Sequence, residues 1–182
     1  MDLSIVIPAY NEEESIKPLL NSIHKNLNNK KIDFEIILID DGSTDKTWSE
    51  ITNASKKFNN IITVKLLKNY GKSDALDAGF KFSIGNYVLT MDADLQDDPS
   101  EIFPLYSMIK EKKFDLVSGW KKKRNDPVSK TIPSKFFNKV TRLFSGIKLN
   151  DFNCGIKIYR KEVINSINLY GEMHRYIPLI AK

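Results

Sequence analysis

Two carboxylates separated by a single residue, Asp92 and Asp94, are the clearest chemical signal in the sequence. They follow a short apolar run, which places them where a strand ends, and two such acids can present hard oxygen ligands to Mg²⁺ or Mn²⁺. A diphosphate would supply further oxygens, so that the cation would bridge the protein and a phosphate-bearing ligand. An isolated Asp-x-Asp pair is more often solvated or capping, so the pair needs support from elsewhere in the chain.

Three more polar clusters also follow apolar runs: Pro8-Ala9-Tyr10-Asn11-Glu12, Asp40-Asp41 and Asn69-Tyr70-Gly71-Lys72. Each one alone is explained by a turn or a helix cap. Together they indicate a ligand site, because ligands of parallel α/β sheets bind at the carboxyl ends of the strands. In such a site Lys72 would contact a diphosphate or a base, and Asp40 would accept hydrogen bonds from base N–H groups.

The elements that must position these clusters alternate between apolar strands and amphipathic helices. Hydrophobicity is continuous along the strands, which indicates burial on both faces. The alternation predicts an α/β fold with a mostly parallel, Rossmann-like sheet and helices on both faces. We predict strands at residues 3–8, 34–39, 61–67, 87–91 and 114–118. We predict helices at 12–27, 71–82 and 99–112, and one more that follows the turn at 40–44 and ends near residue 58.

The alternation stops after Trp120. We predict a loop over residues 120–133, a helix over 134–147, one more strand over 155–159 and two short helical stretches at the end. Residues 120–148 contain nine basic residues and one acid, a charge of +8, which leaves −3 for the rest of a chain whose net charge is +5. This distribution suggests a docking surface for a phosphate-bearing partner, and a solvated lysine-rich loop is the alternative.

Composition limits the class of protein. The 182 residues are enough for one globular domain, and 41% of them are hydrophobic and 28% charged. The single cysteine, Cys154, excludes an internal disulfide and favours a reducing compartment. No apolar run approaches the roughly 20 residues that span a bilayer. We therefore expect a cytoplasmic protein that is soluble or peripheral to the cytoplasmic face of a membrane.

Several phosphate-binding classes do not fit. A dinucleotide-binding domain would carry G-x-G-x-x-G where this chain has Pro8-Ala9-Tyr10, and the P-loop is also absent. An aspartyl-phosphate phosphatase would place its Asp-x-Asp after the first strand, whereas here the pair follows the fourth. A nucleotidyltransferase would begin with a glycine-rich loop. A non-catalytic module that binds lipid or nucleic acid leaves the carboxylate pair unexplained, so we expect no nucleic-acid partner.

Three motifs, taken in order, resemble the inverting glycosyltransferases of family 2. They are Ser4-Ile5-Val6-Ile7-Pro8-Ala9-Tyr10-Asn11-Glu12-Glu13, Ile39-Asp40-Asp41-Gly42-Ser43-Thr44-Asp45 and Met91-Asp92-Ala93-Asp94-Leu95-Gln96. The continuation through Asp97-Asp98-Pro99 resembles the polyprenyl-phosphate branch, which includes dolichol-phosphate mannose synthase and bactoprenol glucosyltransferases. Asn69-Tyr70-Gly71-Lys72 and Gly171-Glu172-Met173-His174-Arg175-Tyr176-Ile177-Pro178 resemble the same branch.

The resemblance implies a metal-dependent enzyme with a GT-A fold. It implies inverting transfer of a sugar from a UDP- or GDP-sugar to a polyprenyl phosphate, dolichyl or undecaprenyl. The alternative within the family is transfer to a sugar hydroxyl in polysaccharide or glycoprotein assembly. It further implies a single catalytic domain over 1–182, with a nucleotide-sugar half (1–119) and an acceptor half (120–182). Because family members usually continue beyond the region of Pro178, we expect the domain to be truncated at its C-terminus.

The resemblance also assigns site residues. Asp92, Asp94 and Gln96 would hold Mg²⁺ or Mn²⁺. The donor nucleotide-sugar would contact Pro8, Ala9, Tyr10, Glu12, Asp40, Asp41, Lys72, Asp92 and Ala93. The acceptor phosphate would bind Arg124, Lys130 and Lys135. The catalytic residues would be Asp94 and Asp151, the latter as a candidate base, with a turn or cap before Gly155 as its structural alternative.

Three isolated residues have simpler interpretations. His24 falls on a polar helix face and is expected to be solvated. His174 would contact either the acceptor or a neighbouring helix. Cys154 is expected to be a small packing residue.

The helix predicted over residues 134–147 is amphipathic and basic. Its apolar face consists of Phe136, Phe137, Val140, Leu143, Phe144 and Ile147. Lys135, Lys139 and Arg142 lie on the other side, so the helix can lie in a bilayer interface or, alternatively, pack on the core with a solvated lysine face. For the interfacial role we expect anionic liposomes to float the wild-type protein more than the Lys135/Lys139/Arg142→Gln variant. Equal flotation of the two proteins would contradict this role.

Overall fold

The computed structural model describes residues 1–120, 151–152 and 154–180, and in these ranges six strands form one sheet. The strands are β1 (Leu3–Ala9), β2 (Phe34–Asp40), β3 (Ile61–Lys65), β4 (Tyr87–Thr90), β5 (Leu116–Ser118) and β6 (Lys157–Arg160). The helices are α1 (Ile16–Leu27), α2 (Thr47–Lys57), α3 (Lys72–Phe82), α4 (Ile102–Lys112), α5 (Lys161–Asn165) and α6 (Ile177–Ile180). Two 3₁₀ turns, Pro99–Glu101 and Met173–Tyr176, precede α4 and α6.

Helices cover both faces of the sheet, as the apolar strands predicted. Side chains alternate along a strand, so Ile5 and Ile7 of β1 pack with α1, α2 and α4, whereas Val6 packs with α3, α5 and α6. Neighbouring strands repeat this division, with Ile36 and Ile37 on opposite faces. The apolar residues on both faces of the central strands therefore enter one of two cores, which explains the continuous hydrophobicity.

Strand direction fixes which chain segments share an edge. The order is β3-β2-β1-β4-β6-β5, in which β1, β2, β3 and β4 are parallel. β6 runs antiparallel to both β4 and β5. The carboxyl ends of β1, β2 and β4 consequently lie at the same edge as the amino end of β6. The sequence predicted the last strand but not its reversed direction.

Two helices begin later than predicted, each because polar groups form other bonds. The N–H groups of Glu12 and Glu13 donate to Thr47 Oγ1 (2.7 Å) and Asp45 Oδ2 (3.2 Å), so α1 begins only at Ile16. Before α4, the Asp98 side chain accepts the N–H of Ser100 at 2.9 Å and caps the 3₁₀ turn at Pro99–Glu101. The first turn is held by tertiary hydrogen bonds and the second by a local cap, and each helix starts after them.

Helix α3 packs closely on the sheet. A Cβ on Gly79 would lie 2.4 Å from Val6 Cγ1 and 2.7 Å from Ile39 Cδ1, so the helix backbone approaches both strands where a larger residue would clash. This packing sets the first residue of α3, Lys72, beside the carboxyl ends of the strands. The predicted helix over 134–147 lies outside the described residues. No helix in the described part of the chain is long and apolar enough to cross a membrane.

Candidate active site

A cavity of about 330 Å³ lies at the edge where β1, β2 and β4 end. The parallel register places Ala9 beside Asp40 and Val6 beside Thr90, so the segments that follow these strands converge. The cavity is lined by Pro8, Ala9, Tyr10, Glu12, Asp41, Asn69, Gly71, Lys72, Asp92, Ala93 and Asp94. Eight of these residues are predicted donor contacts and Asp94 is a predicted metal ligand, and the structure brings all nine together around one opening.

Asp41 fixes the loop between β3 and α3. Its two carboxylate oxygens accept the N–H groups of Tyr70 and Gly71, both at 2.9 Å. The next residue, Gly42, has φ +69°, and a Cβ there would lie 2.3 Å from the carbonyl carbon of Lys68. Only glycine combines this backbone conformation with so close an approach. Asp41 therefore acts on the cavity through the loop that delivers Lys72.

Asp40 takes a different place from the one predicted for it. Its side chain is fully buried and is absent from the cavity lining. Oδ1 accepts the Ser43 N–H at 3.0 Å, and Oδ2 has no hydrogen-bond partner among the described residues. The contact with a nucleotide base thus stays a prediction, and in this structure Asp41 is the member of the pair that reaches the cavity.

Asp92 is held from two sides. Lys72 Nζ forms an ion pair with its Oδ1, and the two side chains are about one-third exposed. On the other side, a Cβ added to Gly155 would lie 2.7 Å from Asp92 Oδ2 and 2.5 Å from Asp97 Oδ2. The backbone at Gly155 therefore covers the second oxygen, and its approach requires a residue without a side chain.

Asp94 lies on the exposed rim of the cavity. Its Oδ1 accepts the N–H of Gln96 at 3.1 Å across Leu95, whose φ is +62°. This turn directs Gln96 to solvent, and Gln96 does not line the cavity. Within the described ranges no three His, Cys, Asp or Glu side chains are grouped to hold a metal ion. A cation bound at Asp92 and Asp94 would therefore need oxygens from its ligand as well.

Beneath the cavity lies a buried lysine that sequence reasoning missed. Lys157 is only 5% exposed, and its Nζ donates to the carbonyl of Cys154. Burial lowers the pKa of Lys157 to about 8, and the charge of Lys72 acts in the same direction. The carboxylates of Asp92 and Asp151 oppose this shift. The feature of the sequence that could have identified Lys157 is a single lysine within an otherwise apolar predicted strand.

Asp151 is buried beside Lys157, with a relative exposure of 2%. Its backbone carbonyl accepts the hydroxyl of Ser118 at 3.1 Å, which ties the start of this segment to β5. The following Cys154 is buried, as expected of a packing residue, and burial raises the pKa of its thiol. Asp151 does not line the cavity, so its role as a base stays a prediction.

His174 contacts the first turn of α3. Its Nδ1 lies 2.9 Å from Ser73 Oγ, and that oxygen also accepts the His174 N–H at 3.0 Å. Ser73 Oγ can donate its proton to Nδ1 or accept one from it, so these two contacts fix the position of the His174 ring and not its tautomer. Burial lowers the pKa of His174 to about 4, with a further contribution from Lys72. The contact with a neighbouring helix is thus present, and an acceptor contact stays a prediction.

The predicted acceptor residues Arg124, Lys130 and Lys135 lie outside the described residues, as does the basic segment around them.

Comparison with known proteins defines the class of protein that this fold and site represent. The chain matches the model of glycosyl transferase family 2 over residues 4–167. It belongs to this family. Its fold is that of the GT-A glycosyltransferases: glucosyl-3-phosphoglycerate synthase of Mycobacterium tuberculosis, in complex with Mn²⁺, UDP-glucose and phosphoglyceric acid, superposes with a TM-score of 0.71. That match has 22% identity and covers 91% of this chain and 59% of the other.

Curated relatives within the family share more sequence. Dodecaprenyl-phosphate galacturonate synthase of Rhizobium johnstonii is 38% identical over 98% of this chain. Undecaprenyl-phosphate 4-deoxy-4-formamido-L-arabinose transferase of Pseudomonas fluorescens is 35% identical over the same share. The chain spans about half the length of these relatives, 53% in both cases. The resemblance to the polyprenyl-phosphate branch is thereby confirmed at the level of sequence.

The close approach of Gly155 to two carboxylates can be tested by adding one methyl group. In Gly155→Ala the new Cβ must displace Asp92 and Asp97, and we expect the affinity for UDP or GDP in the presence of Mn²⁺ to fall about tenfold or more. Gly119→Ala is the matched control, because its Cβ would press on Ile156 Cγ2 and Cys154 Sγ instead of carboxylates. Calorimetry and thermal melting separate the two effects. Equal nucleotide affinities in the two variants would contradict the positioning role of Gly155.

Proposed function

We propose that this chain carries the donor-binding and catalytic part of a glycosyltransferase that moves a sugar, with inversion, from a UDP- or GDP-sugar to a polyprenyl phosphate. The observation that carries the proposal is the cavity in which Asp92, Asp94 and Lys72 converge. Its support is the 35–38% identity to transferases whose names specify a dodecaprenyl or undecaprenyl phosphate.

The donor half of the proposal rests on charge and shape. A nucleoside diphosphate is anionic, and the cavity offers it the Lys72 ammonium and the amino end of α3, where free N–H groups favour negative charge. Tyr10, which lines the cavity and is 45% exposed, presents a ring on which a base can pack. The two carboxylates would repel an anionic diphosphate unless a cation lies between the carboxylates and the diphosphate.

The donor set fits a divalent cation, either Mg²⁺ or Mn²⁺. Asp92 and Asp94 supply hard carboxylate oxygens from one strand end, and the absence of a third acidic ligand among the described side chains matches a site completed by phosphate oxygens. When bound, the cation would neutralise the charge that develops on the departing diphosphate. Asp92 and Asp94 would hold it, while Gln96 would have to turn inward to join them.

The acceptor half rests on chemistry. A phosphate monoester, with a second pKa near ~6, is largely ionised at neutral pH and attacks without a general base. It requires positive charge to hold it, which Arg124, Lys130 and Lys135 of the acceptor half (120–182) would provide. We propose that the same basic segment holds the protein at the cytoplasmic surface of the membrane that contains the lipid.

Transfer to a sugar hydroxyl is the second candidate, in which Asp151 would remove the proton of the attacking hydroxyl. Asp151 is 2% exposed and is not part of the cavity lining, so this candidate requires the acceptor hydroxyl to gain access to a buried carboxylate. The two candidates share the donor site and differ only in what Asp151 does.

The donor site is tested by Asp94→Ala. Loss of a residue that merely orients a metal ligand costs about 10- to 100-fold in metal affinity, so we expect removal of a ligand to weaken Mn²⁺-dependent nucleotide binding at least as much. Asp98→Ala, a nearby exposed carboxylate that only caps a turn, is the control and should bind normally. Calorimetric titration with UDP and with GDP measures the effect and also identifies the base. Unchanged affinity in Asp94→Ala would remove Asp94 from the site.

The acceptor class is tested by comparing Asp151→Asn with Arg124→Gln and Lys130→Gln. A general base contributes roughly 10²- to 10⁴-fold, so a hydroxyl acceptor predicts a loss of that size in Asp151→Asn. For a phosphate acceptor we expect the basic variants to lose more turnover than Asp151→Asn, measured with a short-chain polyprenyl phosphate. A hundredfold loss in Asp151→Asn beside near-normal rates in the basic variants would contradict the phosphate acceptor.

A further inference from the structure

Lys72 occupies the oxygen of Asp92 that faces the cavity. The ion pair joins Lys72 Nζ to Asp92 Oδ1, and both residues line the opening. The other oxygen, Oδ2, lies against the backbone at Gly155, where even a Cβ would be only 2.7 Å away. A cation that enters from the cavity therefore reaches Asp92 through Oδ1, the atom already paired with the lysine.

Asp94 does not compensate for this occupied oxygen. It is exposed, and one of its oxygens already accepts the Gln96 N–H. A cation that arrived while Lys72 remained in place would meet a single rim carboxylate. It would also be repelled by the ammonium at close range, since two positive charges on one oxygen raise the electrostatic energy. Metal binding without a nucleotide is thus opposed by the protein itself.

A diphosphate changes this balance because it gives Lys72 another anionic partner. Lys72 is the first residue of α3, so its backbone stays fixed beside the cavity while the long side chain is free to turn from a carboxylate to a phosphate oxygen. Its position is set by Asp41, which holds the N–H groups of Tyr70 and Gly71. Only the ammonium has to move.

We propose that Lys72 is a resident counter-ion of Asp92 that is exchanged for the divalent cation only when a diphosphate binds. The inference rests on the proposed function and adds the means by which metal and nucleotide become coupled. Ion pairs are exchanged and no covalent bond changes: the ammonium passes from carboxylate to phosphate, and the carboxylate passes to the metal. Binding of either ligand then favours the other by the same factor.

The test is Mn²⁺ binding without nucleotide, followed by the paramagnetic resonance signal of free Mn²⁺. We expect Lys72→Met to bind Mn²⁺ alone on the order of fivefold more tightly than wild type, since a partly exposed ion pair contributes up to ~1 kcal/mol. The same variant should bind UDP or GDP with Mn²⁺ more weakly. Lys72→Arg keeps the charge and should retain weak metal binding. Lys68→Met is the matched control, because Lys68 is exposed and lies over the Tyr70 ring at 5.2 Å from its centroid.

Two outcomes separate this inference from the proposed function. If wild type binds nucleotide with Mn²⁺ but Lys72→Met binds Mn²⁺ alone no more tightly, the exchange is wrong and the proposed donor site stands. If wild type binds neither UDP nor GDP with Mn²⁺, the proposed function is wrong and the exchange is wrong with it. Thermal melting verifies that each variant is folded, and Lys72→Gln provides the same comparison if the Met variant is unstable.

Discussion

The site depends on the antiparallel return of β6 beside β4. The parallel strands alone would leave Asp92 at an open edge, supported only from the side of α3. Because β6 enters at the edge where β4 ends, the backbone before it passes directly against the carboxylates of Asp92 and Asp97. The reversal of a single strand thus brings a segment more than 50 residues away in sequence against the carboxylates of Asp92 and Asp97, and glycine at 155 is the condition for it.

Negative charge at this edge is balanced by two lysines in contrasting positions. Lys72 is partly exposed and has a long, flexible type of side chain, so it can change partners. Lys157 is buried and bonded to the Cys154 carbonyl, and the nearby carboxylates of Asp92 and Asp151 limit the loss of its charge on burial. Lys72 is therefore suited to respond to a ligand, while the buried Lys157 stabilises the neighbouring carboxylates permanently.

Much of this arrangement could be predicted from the sequence because strands and strand ends carry local signals. Apolar runs located the six strands of the described residues, and the four polar clusters at strand ends contain all eleven residues that line the cavity. The roles of Asp92, Asp94 and Lys72 follow from residue type and position, whereas the roles of the others are implied by the resemblance to family 2. Those features depend on local pattern and on the known handedness of strand–helix–strand units.

What could not be predicted depends on tertiary contacts. Of two adjacent aspartates only Asp41 lines the cavity, and Asp40 is fully buried, a difference that no local pattern in the sequence indicates. The prediction that His24 is solvated was wrong: it is buried, stacks on Phe58 at 3.9 Å and lies 3.0 Å from the Asn60 side chain. The buried position of Lys157 near the cavity depends on the direction of β6, which no local sequence pattern encodes.

The pairing of β5 with β6 has a consequence for how such a protein diversifies. Ser118 lies opposite Lys157, and the Gly119 N–H donates to the Ile156 carbonyl at 3.0 Å, so the chain leaves and re-enters the sheet on neighbouring strands. The entropic cost of closing a connection between them rises only slowly with its length. A change in the length of this connection, away from Gly155 and its neighbours, therefore costs little and leaves Asp92 and Asp97 in place. Under the proposed function, acceptor choice can therefore change while the donor carboxylates stay in place.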